Sequence, residues 1–140
     1  SRRMNVNRRR LYPMIAALAL LAAMAACSFS ASTANIADAW TAADEAGSQR
    51  TTVFAQDATF YAIVDLANAP DDTTVKAAWT AVEVEGADPN TAIDETELTT
   101  GSGNLVFQLN NNGLWPVGRY KVDLYLNGEL DRTLEFDVQP

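Results

Sequence analysis

The chain has 140 residues, room for one domain, and its 48% hydrophobic fraction can supply a core. It contains no histidine and a single cysteine, which excludes Ser/His/Asp and Cys/His catalytic arrangements, an internal disulfide and the usual nitrogen ligand of zinc. Five of the ten basic residues precede Cys27 and all eighteen acids follow it, so the chain from residue 27 onward carries a formal −13 and repels nucleic-acid backbones.

Residues 4–27 fall into three zones: the basic MNVNRRR, the apolar LYPMIAALALLAAMAA, and Cys27. That layout predicts an export signal over residues 1–26. The apolar run covers sixteen positions, Pro13 among them, short of the roughly 20 that span a bilayer, so cleavage is expected. Met24, Ala25, Ala26 and Cys27 resemble the lipobox of bacterial lipoprotein signals, with Met24 where the family usually carries Leu. The resemblance implies diacylglycerol on the Cys27 sulfur, cleavage before it and acylation of the new amino terminus. It places the chain at the bacterial cell envelope, facing the extracytoplasmic side, with the membrane as partner through acylated Cys27. At about 0.8 kcal/mol per buried methylene, two or more acyl chains hold a soluble domain stably. The alternative is an ordinary signal-peptidase site at Ala23-Met24-Ala25, with Cys27 merely a small residue beside it.

Residues 27–50 are rich in Ala, Ser and Thr and read as a tether. Ile36, Trp40 and Ala43 recur at helical spacing between Asn35, a capping residue, and Gly47, a stop, which predicts a short helix. Trp40 would then touch the main domain or enter the lipid interface.

From Thr51 the apolar period becomes two, the spacing of strands. Thr51 to Gln56 reads as a first strand. Phe60, Ala62, Val64 and Leu66 share one face and Tyr61, Ile63 and Asp65 the other. Val75, Ala77, Trp79 and Ala81 follow, then a weak strand near Ala92 to Leu98, then Leu105, Phe107 and Leu109. Residues 120–127 and 130–138 alternate on either side of Asn127-Gly128, a dipeptide suited to the positive φ angles of a type I′ turn, so they are expected to pair antiparallel. About seven strands over residues 51–140 predict an all-β, immunoglobulin-like antiparallel sandwich. Trp79 is placed in its core. Tyr120, after Gly118, resembles the tyrosine corner of immunoglobulin and fibronectin type III domains, and the stretches at 51–86 and 114–136 are similar to a domain recurring in bacterial surface lipoproteins of unassigned role. That resemblance carries no catalytic motif and no cofactor.

The acidic segment EVEGADPNTAIDETEL at 83–98 starts like a calcium loop with Asp88 and Asn90, but Ala92 and Ile93 stand where a ligand and Gly are required. An irregular site using Asp88, Asp94 or Glu95 stays open beside a solvated loop. Paired carboxylates could hydrolyse glycosides, yet nothing brings a specific pair together. Tyr61, Lys121, Asp123 and Tyr125 on outward positions and Trp115 in a loop are the candidate contacts, because Tyr and Trp carry binding energy with little rotamer entropy to lose. Trp115 could equally close the end of the sandwich. The expectation is a non-catalytic binding or assembly module with a protein or cell-wall glycan partner. The alternatives are a carbohydrate-binding module stacking sugars on Trp115 and Tyr125, and a small carboxylate hydrolase. Self-assembly through exposed strand edges is also open.

Overall fold

The computed structural model describes residues 33–140, in which every regular element is a β-strand. They are β1 (Asn35–Ala42), β2 (Val53–Ala55), β3 (Phe60–Ala67), β4 (Thr73–Val84), β5 (Thr91–Thr100), β6 (Gly103–Leu109), β7 (Gly118–Leu126) and β8 (Glu129–Gln139). One sheet has the order β1-β3-β6 and the other β2-β8-β7-β4-β5. All neighbours are antiparallel except β2 and β8. The signal segment at 1–26 and Cys27 lie outside the described residues.

Alternation decides which side chains go inward. Phe60, Ala62, Val64 and Leu66 on β3 face Val75, Ala77, Trp79 and Ala81 on β4 across the core, all buried. Phe60 is the hub: its ring lies 4.4 Å from Trp115, 4.7 Å from Phe136, 5.0 Å from Phe54 and 5.6 Å from Tyr120. Each large apolar side chain buried this way contributes about 1.5–3 kcal/mol, and edge-to-face aromatic pairs add to it.

The Asn127-Gly128 turn joins β7 to β8, with φ of 50° and 87° at its two residues. Asn127 fits this left-handed position and is tied back to β4: its Oδ1 accepts from the Thr74 amide at 3.1 Å, and its own amide donates to the Thr74 carbonyl at 2.9 Å.

Two expectations are corrected. Residues 35–42 form strand β1, not a helix, so the described residues hold eight strands and residues 35–50 belong to the sandwich instead of a tether. The register of β1 on β3 slips between Ile36 and Asp38, a bulge at Ala37 that resets the alternation. Ile36 enters the core while Trp40 points outward opposite Ile63, so a spacing of four that mimics a helix serves two faces of a strand. A lone turn or two of helix is marginal in water, whereas pairing with β3 satisfies the backbone of β1. The side chain of Asn35, expected as a helix cap, instead accepts from Asn68 Nδ2 at 3.2 Å.

Candidate functional site

The outer face of the five-stranded sheet brings together three of the five candidate contact residues. On β7, Lys121, Asp123 and Tyr125 point to the same side, and the register places them beside Thr80, Ala78 and Lys76 of β4. Lys76 Nζ lies 4.5 Å from the Tyr125 ring centroid and 3.8 Å from Glu95 Oε2 on β5. Lys121 Nζ stands 3.5 Å from Asp123 Oδ2, while Asp123 Oδ1 accepts from Thr133 Oγ1 at 2.5 Å. Leu130, 57% exposed, sits opposite Tyr125 on β8. The face is therefore a grid of alternating charge around a half-buried tyrosine, with an apolar edge. Such exposed pairs contribute little stability, at most about 1 kcal/mol each, but they fix where donors and acceptors stand.

Tyr61 is elsewhere, on the outer face of the three-stranded sheet opposite Gln108. Trp115 is corrected as a contact. It is 5% exposed, its Nε1 donates to the Ala58 carbonyl at 2.7 Å, and Gln56 brackets its backbone by accepting from its amide at 2.8 Å and donating Nε2 to its carbonyl at 2.9 Å. An indole so enclosed presents no face to a sugar ring, so the carbohydrate reading through Trp115 and Tyr125 falls. Trp79 and Tyr120 are 2% and 1% exposed, both in the core.

The acidic segment is divided by strand geometry. Asp94 and Glu95 are adjacent on β5 and point to opposite faces, Asp94 opposite Trp79 and Glu95 opposite Ala78, while Asp88 lies in the preceding turn. Among the described residues no three carboxylate or cysteine side chains cluster as metal ligands.

A second cluster had no clear signal in the sequence. Arg50 Cζ stacks 3.7 Å from the Trp40 ring, its Nη2 meets Asp38 Oδ2 at 3.3 Å, and Trp40 Nε1 donates to the Gly47 carbonyl at 2.9 Å. The cluster borders an open groove of about 570 Å³ between β1 and β8, lined also by Thr51, Thr52, Thr133, Leu134 and Glu135. The one available clue was a Trp and an Arg flanking the turn-forming DEAGS.

Comparison with protein families and with curated proteins finds no match. Among solved structures, an immunoglobulin-like protein from Pseudomonas aeruginosa superposes with a TM-score of 0.53 at 16% identity, over 79% of this chain and 99% of that one. An alkylpurine DNA glycosylase of Pseudomonas fluorescens, bound to DNA containing an abasic site analogue, gives 0.52 at 17% identity, over 78% of this chain and 31% of that one. A β-glucosidase from Listeria innocua gives 0.49 at 13% identity, covering only 16% of its length. The likeness to the immunoglobulin-like protein, with the strand order of the two sheets, establishes the fold: the described chain is an immunoglobulin-like β-sandwich.

Proposed function

We propose that this chain is a lipid-anchored, extracytoplasmic binding or assembly module of the bacterial cell envelope, held by acylated Cys27 and acting by surface complementarity instead of bond chemistry. The observation that carries the binding role is the outer face of β4 and β7, where Lys76, Lys121, Asp123 and Tyr125 form one ordered polar and aromatic surface. Tyrosine beside opposed charges suits recognition of a protein or a cell-wall glycan, because the ring supplies area and the charges supply register. The anchor reading draws on the three-zone leader and on Met24-Ala25-Ala26-Cys27.

Two measurements test the two halves. Intact mass of protein made in a bacterial host is expected to show a mature chain beginning at Cys27 and carrying acyl groups, lost in Cys27→Ser; an unmodified thiol sinks the anchor. A photoreactive residue placed at Tyr125 is expected to crosslink an envelope protein or glycan in living cells, and one placed at Tyr61 is not. Equal labelling from both positions, or none from Tyr125, rejects the β4/β7 face.

A further inference from the structure

The four sheet edges are not guarded alike. β1 is bulged at Ala37, the Ile36 carbonyl accepts from Arg132 Nη2 at 2.7 Å, and the Thr41 carbonyl accepts from the Thr51 amide at 3.1 Å. β2 is three residues long. β5 carries Asp94, Glu95 and Glu97 and is bulged at Ile93. These are the usual protections of a free strand edge: irregularity, shortness and charge. β6 has none of them. Its sequence GNLVFQL is uncharged and free of proline, and all seven residues keep unbroken register with β3 on one side. In the sheet order its other side has no neighbour among the described residues.

The opposite sheet shows what that edge lacks. Thr96 and Asp94 of β5 share the inward face with Ala77 and Trp79 of β4, their cross-strand partners. Ala77 and Trp79 are 0% and 2% exposed, whereas Thr96 and Asp94 are open to solvent. β5 thus projects past β6, and the three-stranded sheet is one strand short beneath it. A strand added to β6 would lie about 4.8 Å from it and about 10 Å below β5, the ordinary spacings of a sandwich.

We infer that this slot takes an extended, cationic peptide segment of a partner protein, which adds to β6 as a fourth strand of the small sheet. Main-chain hydrogen bonds to the β6 edge would give affinity, and alternate side chains would give selectivity. Those facing inward would meet the half-buried Ile93, Leu98 and Leu105 and the exposed Thr96, which suits β-branched apolar residues. One would face Asp94, which together with the formal −13 of the chain from residue 27 onward favours Lys or Arg there. A second copy does not fit. Antiparallel β6–β6 pairing relates the copies by a two-fold axis normal to the sheet, so each overhanging β5 would collide with the five-stranded sheet of the other. This inference rests on the chain being a binding module and adds a site separate from the Tyr125 face, so each site can fail without the other.

The probe is a phage-displayed library of random decapeptides selected on the full chain in detergent. Selected peptides are expected to alternate β-branched residues with Lys or Arg. Their synthetic forms are expected to shift amide resonances of β6 and to weaken with salt. Thr96→Trp, which fills the slot, is expected to weaken binding at least about tenfold with the thermal midpoint retained. Asp94→Lys, at a solvent-exposed site, is expected to weaken cationic peptides about fivefold and to shift selection toward acidic ones. Tyr125→Ala leaves this binding unchanged. The inference is overturned if no sequence is enriched, if selected peptides perturb β8 or the outer face of β4 and β7 instead, or if the β6 shifts accompany dimerisation without peptide.

Discussion

The Tyr120 hydroxyl donates to the Pro116 carbonyl at 2.5 Å, fastening the loop before β7 to the strand it feeds. The ring is buried, stacked 5.5 Å from Phe136. Burial also pushes its pKa up to about 12 from 10.0, because the phenolate would lose its water. Between those two values the unfolded chain releases the proton and the folded one keeps it, so stability is full below pH 10 and declines as the pH rises toward 12. Tyr120→Phe is expected to cost about 1–2 kcal/mol at pH 7 for the lost hydrogen bond. It is also expected to flatten the alkaline decline, worth on the order of 2 kcal/mol. Urea denaturation of both proteins from pH 7 to 12 measures this, and parallel pH profiles would count against it.

Trp115→Ala is expected to cost about 3–5 kcal/mol, the range for deleting a large buried aromatic, since the ring stacks on Phe60 and its indole N–H satisfies the Ala58 carbonyl. Tyr125→Ala, on the outer face, is expected to cost under about 1 kcal/mol. Urea midpoints with unchanged m-values report the difference. A Trp115 variant as stable as the wild type would mean that the indole does not close the core.

The strands were legible where one face is buried and the backbone is regular, because alternation then repeats on β3, β4, β6 and β7 without a break over the core positions. β1 was illegible because its bulge at Ala37 puts Ile36 and Trp40 on opposite faces, so no unbroken period of two runs along it. Trp115 was ambiguous for another reason: the groups that enclose it, Gln56, Ala58 and Phe60, stand over fifty positions earlier, and no local pattern reports such a contact. Lys121, Asp123 and Tyr125 could be placed on one face by alternation alone. That Lys76 would cover Tyr125 required the register of β4 on β7, which only the folded chain fixes.

The Asn127-Gly128 turn allows a finer test. Asn127→Ala removes the Thr74 contact and places an ordinary side chain at φ 50°, so a loss of about 1–2 kcal/mol is expected. Asn127→Gly keeps the backbone at ease and loses the side-chain bond alone, so its cost is expected to be smaller. For a domain of this size each kcal/mol shifts the thermal midpoint by about 4–8 °C, and calorimetry ranks the two variants. Equal costs for the two variants would show that the side-chain bond, not the left-handed backbone, governs the turn.

Asp44 ties the segment between β1 and β2 over the outer face of β3. Its Oδ2 accepts from Ser48 Oγ at 2.5 Å and its Oδ1 from the Gln49 amide at 2.9 Å, and these bonds, the serine's first, hold its carboxyl below the ordinary 3.8. The turn they shape places Gly47, at φ 77°, against Ile63, which is only 1% exposed although it faces away from the core, and under the Trp40 indole. A depressed carboxyl pKa stabilises the fold above the unfolded value, and that contribution is lost as the pH falls through the folded one. Acidification below pH 3.8 is therefore expected to loosen the segment and shift Trp40 emission to the red, assigned by its absence in Trp40→Phe. Asp44→Asn, which keeps shape but not charge, is expected to show the loosened emission already at pH 7 and little further change in acid. An Asp44→Asn protein that still follows the wild-type acid profile would place the switch on another group.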